Sequence, residues 1–177
     1  MGRKLSFIFR NVKERSLLQY GFGNRCTDGK YVLFLDYDDT PLEWVLEELR
    51  LLQRTFKNEV GTGYVFQTKN GFHVVFLEKH FLGRIVDFMN VSSCDKNYKE
   101  VPMQYARRVW ILRQSKKKDE EIKYLGAYIA KADIIKSLAH RLYLHQMMNV
   151  PIADMPSHKW FDTEKNLYMG YYRIPPE

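Results

Sequence analysis

Blocks of differing apolar period run along this chain, and they mark out its elements. Tyr31-Val32-Leu33-Phe34-Leu35 is an unbroken β-prone run, the pattern of a strand covered on both faces. Pro41 follows, at a position where a first helical turn tolerates proline. Leu42, Val45, Leu49, Leu52 and Phe56 then recur at steps of three and four, forming one stripe of an amphipathic helix. Glu43, Glu47, Glu48, Arg50 and Arg54 take the other side, and Asn58 and Gly61 close the element. Asp39 and Thr40 are candidates to cap it.

Two more β-prone runs, 63–68 and 72–77, flank Lys69-Asn70-Gly71. Asn-Gly between such runs predicts a tight antiparallel hairpin. Phe81, Leu82, Ile85, Val86, Phe88 and Met89 predict a helix within 78–91, and Pro102 marks 92–104 as a polar loop. Residues 108–113 predict a strand. Lys123 to Met148 predicts a helix or helix pair carrying Leu125, Tyr128, Ile129, Ile134, Leu138, Leu142 and His145. Gly21-Phe22-Gly23-Asn24 reads as a turn, and 1–20 as an edge strand with a short helix. The expected fold is α+β: a mixed or antiparallel sheet with helices packed on it and a more helical C-terminal half. The 177 residues suit one domain, with a core over about 30–125 and a helical extension over about 123–177.

Composition narrows the classes. At 45% hydrophobic residues the chain can bury a core, which excludes global disorder. No apolar run is long enough to span a membrane. Cys26 and Cys94 are far apart, with no Cys or His partner at zinc-ligand spacing. That excludes a zinc ribbon, argues against a disulfide framework and predicts a cytoplasmic protein. A net charge of +7 favours an anionic partner, nucleic acid first. From Lys96 to Lys123 nine Lys or Arg face four acids, with Tyr98, Tyr105 and Trp110 interleaved. Arg107, Arg108, Lys116, Lys117 and Lys118 are therefore candidate nucleic-acid contacts. Lys116 to Lys118 taken alone read rather as a solvated loop, and Arg107, Arg108 and Arg113, which flank a strand, are the better candidates.

Two segments carry candidate chemistry. Asp36 and Asp38, at i and i+2 on an extended segment, point the same way. Like charges that close are costly unless a cation neutralises them. Hard carboxylate oxygens suit Mg²⁺ or Mn²⁺, and two such ions organise displacement at phosphorus. The alternative is an Asp-rich loop that only caps the next helix. In Thr68-Lys69-Asn70-Gly71-Phe72-His73, turn amides with Lys69 and His73 could cradle a triphosphate. The alternative for His73 is a satisfied core histidine.

The order of these segments resembles the catalytic core of the archaeo-eukaryotic primase superfamily, the primase small-subunit and primase–polymerase group. In that family an apolar strand ends in Asp-x-Asp before a helix. A hairpin with a small residue, any residue and His follows, then a later Asp and a basic strand. Here these are Asp36-Tyr37-Asp38, Gly71-Phe72-His73, Asp95 and Arg107 to Arg113. The resemblance implies an RRM-like catalytic core in which Asp36, Asp38 and Asp95 hold two Mg²⁺ or Mn²⁺ ions, with no zinc. It implies that His73 and Lys69, with Thr68, Gly71 and Arg113, bind an incoming NTP or dNTP. The reaction would be phosphodiester formation on a DNA or RNA template, alongside other replication proteins. Asp87 and Asp133 compete with Asp95 for the third acid. Two rivals stand: a non-catalytic nucleic-acid-binding module, and a haloacid-dehalogenase-like phosphatase with Asp36 as nucleophile.

Overall fold

The computed structural model describes residues 20–104, 108–114, 121–130, 136–155 and 171–173. The predicted hairpin forms the centre of a four-stranded sheet. Its arms are β3 (Gly63–Gln67) and β4 (Gly71–Val75), with β2 (Phe34–Asp38) beside β4 and β6 (Lys123–Tyr128) beside β3. A three-stranded sheet has β1 (Tyr20–Gly23) between β5 (Ile111–Arg113) and β7 (Tyr171–Arg173). Every pairing in both sheets is antiparallel. The helices are α1 (Leu42–Thr55), α2 (Leu82–Val91), α3 (Lys96–Gln104) and α4 (Leu138–Met147). The fold is α+β. Among the described residues no helix is long and apolar enough to cross a membrane.

Side-chain alternation along β2 sorts the core into two layers. Leu33, Leu35 and Tyr37 pack with Val45, Leu49 and Leu52 of α1 and Ile85, Phe88 and Met89 of α2. This is the stripe predicted for α1. Phe34 faces the other way and packs with Phe66 and Val75, with Phe22 and Leu112 of the small sheet, and with Tyr143 and Leu144 of α4. The four-stranded sheet is therefore covered on both faces. Each fully buried large apolar side chain contributes about 1.5–3 kcal/mol.

Several expectations need correction. The first buried strand begins at Phe34 and runs through Asp38; Tyr31 makes only isolated bridges to Arg25 and His80. Helix α1 starts without a side-chain cap, with Pro41 at its N-cap, and the Thr40 hydroxyl donates back to the Asp38 carbonyl (3.0 Å). Gly21 lies in a strand, where a Cβ would stand 2.3 Å from the Leu112 carbonyl oxygen, so close strand packing rather than a turn selects glycine there. The helix expected from residue 78 starts at Leu82. Residues 96–104 are helical despite Pro102. The strand expected at 108 starts at Ile111. Lys123–Tyr128 is a strand, not a helix, so among the described residues the helix expected over Lys123 to Met148 is confined to α4, and a more helical C-terminal half is not confirmed. The strand and helix expected within 1–20 lie outside the described residues, apart from the start of β1 at Tyr20.

Candidate acidic site at the edge of the sheet

β2 sets out the candidate acids. Leu35 and Tyr37 point into the helix-side core, so Asp36 and Asp38 share the opposite face. The antiparallel register places Asp36 directly across from His73, and Asp38 across from Gly71. The His73 Nε2 lies 3.3 Å from the Asp36 Oδ1. His73 is buried, and its Nδ1 has no hydrogen-bond partner among the described residues. Gly71 is required by this pairing: a Cβ there would lie 1.7 Å from the Tyr37 carbonyl oxygen. Its smallness thus serves the approach of β2, which is a reason independent of any phosphate.

Asp95 arrives from the loop between α2 and α3. Its amide donates to the Asp36 carbonyl (2.8 Å), on the flank of β2 away from β4. Its Oδ1 accepts the Tyr98 amide (2.7 Å), an N-cap contact that starts α3. Asp38 feels the charges of the other two acids. The Asp38 carboxyl is pushed above its ordinary range by burial first, then by Asp36, Asp95 and Asp39, while His73 acts in the opposite direction. Of the competitors for the third position, Asp87 pairs with Arg84 on α2 (3.5 Å). Asp133 lies outside the described residues.

A cavity of about 590 Å³ opens here, lined by Asp38, Thr40, Ser93, Cys94, Asp95 and Lys99, among others. The donor chemistry of the acids suits a hard divalent cation, and their mutual repulsion is what such an ion relieves. Their placement does not complete a cage: among the described residues no group of three His, Cys, Asp or Glu is arranged to hold a metal. Asp36 is engaged with His73, and Asp95 with the start of α3.

The other expected residues scatter. Thr68 closes the hairpin, its amide donating to the Gly71 carbonyl (2.9 Å), and Lys69 is exposed at the tip. The tip stands beside the acids, since the Asp39 amide donates to the Asn70 carbonyl (2.8 Å). Asp36, His73 and Lys69 do not line the cavity, which holds Asp38 and Asp95 of the candidate acids. Arg113 is half-buried at the end of β5, paired with Gly21 on the small sheet. Arg108 is exposed, with a left-handed φ of 49°. Arg107, Lys116, Lys117 and Lys118 lie outside the described residues. Of the interleaved aromatic residues, Trp110 is buried, its Nε1 donating to the Lys99 carbonyl (3.3 Å). Tyr98 carries a buried hydroxyl without a partner, and burial, with Asp36 and Cys94 nearby, pushes that phenol well up. Tyr105 lies outside the described residues.

Sequence reasoning missed Glu48. It reads as one more solvated acid on the polar side of α1, yet its carboxylate accepts from Tyr37, Ser93 and the Ser93 amide. Its partners are far away along the chain, so no local pattern announces it. Comparison with known proteins adds no identification: no protein-family model matches the chain, no curated protein does, and no solved structure does.

Proposed function

We propose that the chain is a primase-like nucleotidyltransferase acting on a nucleic-acid template. One observation carries the reading: Asp36 and Asp38 share a sheet face with His73, and the Asp95 amide meets Asp36 on the other flank of the same strand. This is the constellation that the resemblance to the primase superfamily requires of a short stretch of sequence. Asp36, Asp38 and Asp95 are the residues that would hold Mg²⁺ or Mn²⁺. Bound there, the ions would supply charge stabilisation at the reacting phosphoryl group. The chain's own contributions are to fix the carboxylates on a rigid strand and to brace Asp36 with the His73 imidazole. The net charge of +7 supports a polyanionic template.

The test is incorporation of labelled nucleotides on a template with Mn²⁺. Asp36→Ala and Asp38→Ala should each lower incorporation by on the order of 10²-fold or more, with an unchanged circular-dichroism spectrum. Full activity in both variants would end the proposal.

A second reading has an observation of its own. The engagement of Asp36 by buried His73 and of Asp95 by α3, without a three-residue ligand cage among the described residues, favours a nucleic-acid-binding module that has lost the chemistry. A salt-dependent gel shift without nucleotide incorporation would select it. The phosphatase reading draws no support from sheets whose pairings are all antiparallel, because that fold needs a doubly wound parallel sheet.

A further inference from the structure

We infer that Glu48 is a positioning residue that holds the Asp95 loop against β2; its link to activity rests on the reading of Asp95 as the third acid. Glu48 sits on α1, on the side of β2 away from Asp36 and Asp38. Its Oε1 accepts the Tyr37 hydroxyl (2.6 Å) and the Ser93 amide (3.0 Å). Its Oε2 accepts the same amide (2.9 Å) and the Ser93 hydroxyl. One carboxylate therefore joins α1, the buried face of β2 and the loop that delivers Asp95 two residues later.

The loop's other bonds explain why this anchor matters. The Ser92 hydroxyl donates to the Met89 carbonyl (3.0 Å), and the Cys94 amide to the Ser92 hydroxyl (3.4 Å). Lys99 donates to the Ser92 carbonyl (2.8 Å), and Tyr98 to Asp95. All of these stay within α2, the loop and α3, so they move with it. Among the described residues the polar ties to the sheet and to α1 are the Asp95 amide on the Asp36 carbonyl, the Cys94 side chain on the Asp36 backbone and the Glu48 carboxylate, and buried Cys94 also packs in the core beside β2. Hydrogen bonds to an ionised acceptor are about twice as strong as neutral ones, so Glu48 is the strongest of these polar ties. Without it the Asp95 carboxylate keeps its helix-cap contact but loses its fixed distance from Asp36 and Asp38.

The experiment uses the full chain and two readouts. Amide hydrogen exchange is measured in Glu48→Ala, and in Ser93→Ala, which removes only one donor and guards against a misfolded first variant. The Asp95 amide should exchange about tenfold faster or more while the Val74 amide in β4 stays protected. Unchanged protection of Asp95 overturns the inference whatever the metal does. Mn²⁺ affinity is then measured in wild type, Glu48→Ala, Asp95→Ala and the double variant. Glu48→Ala should weaken Mn²⁺ binding about tenfold and add nothing once Asp95 is alanine. Additive losses would also overturn the inference, because Glu48 would then not act through Asp95. Wild type that binds no Mn²⁺ sinks the nucleotidyltransferase reading instead, and the exchange readout still decides the role of Glu48.

Discussion

Glu78 shows what burial does to a single charge. It lies in an isolated bridge with Lys136, 3.6 Å from its ammonium, and both side chains are almost wholly buried. The carboxyl fills the space left by Gly61, where a Cβ would come within 1.8 Å of it and where φ is +74°. Burial drives its pKa from 4.5 to about 7, against the opposing pull of Lys136 and of the Leu77 amide. A carboxyl whose pKa rises on folding contributes stability that is complete below 4.5 and is lost as the pH rises through about 7. Stability should therefore fall between pH 5 and 7 with a contribution of at most about 1.4 kcal/mol per pH unit from this group. Glu78→Gln should lose that slope, although its overall stability drops because Lys136 is left buried without its partner. Urea unfolding of both proteins at several pH values reads the difference. A slope equal in the two would assign the pH dependence to other groups.

Helices and strands were legible where their patterns came from local contacts. The stripe of α1 is the clearest case: Val45, Leu49 and Leu52 are fully buried. Leu49→Ala should cost about 2–5 kcal/mol, measured as a lowered denaturation midpoint with an unchanged slope. The hairpin was equally readable, although its turn falls on Lys69 and Asn70: Thr68 and Gly71 face each other across it, and Gly71 is the first residue of β4. Where partners lie far along the sequence, the pattern misled. Leu125 and Tyr128 fit a helical step, yet Lys123–Tyr128 is drawn into the sheet by pairing with β3, across a register shift between Val65 and Phe66. Pro102 looked like a breaker, but the Asp95 cap starts a helix that contains it. Asp36, Asp38 and His73 could be brought together from the sequence because a strand, a turn and a register settle their placement. Glu48 and the burial of Trp110 could not, for both depend on packing between distant segments.

In the molecule as a whole, Asn24 is one of the residues that join the two sheets, beside the backbone bond of the Val32 amide to the Asn24 carbonyl (2.9 Å) and the packing of Phe22 and Leu112 on Phe34. Asn24, just after β1, exchanges hydrogen bonds with Trp110: its amide donates to the Trp110 carbonyl (3.0 Å) and its Oδ1 accepts the Trp110 amide (3.0 Å). Its Nδ2 donates to the Val32 carbonyl (3.0 Å), at the approach to β2. Asn24 is completely buried, so nothing from solvent replaces it. Asn24→Ala should cost about 1–3 kcal/mol for each buried group left unpaired, and limited proteolysis should show cleavage near β1 before the hairpin is lost. Equal resistance in the variant would show that the backbone bonds of residue 24 and apolar packing join the sheets without the Asn24 side chain.

The position of β2 has a practical consequence. Only its β4 side is paired along its length; no strand among the described residues joins the other. A strand margin without a partner strand invites a second chain to dock on it; here the Asp95 loop covers part of it through the amide on the Asp36 carbonyl, and negative side chains are another way proteins deter such self-association. Asp36 and Asp38 supply that deterrent whether or not they also do chemistry. Replacing them with neutral residues, as in the Asp36→Ala and Asp38→Ala variants, removes that repulsion along with the chemistry proposed for them. Light scattering on such controls therefore belongs beside any activity measurement, because a clumped protein and a disarmed one look alike in a turnover assay.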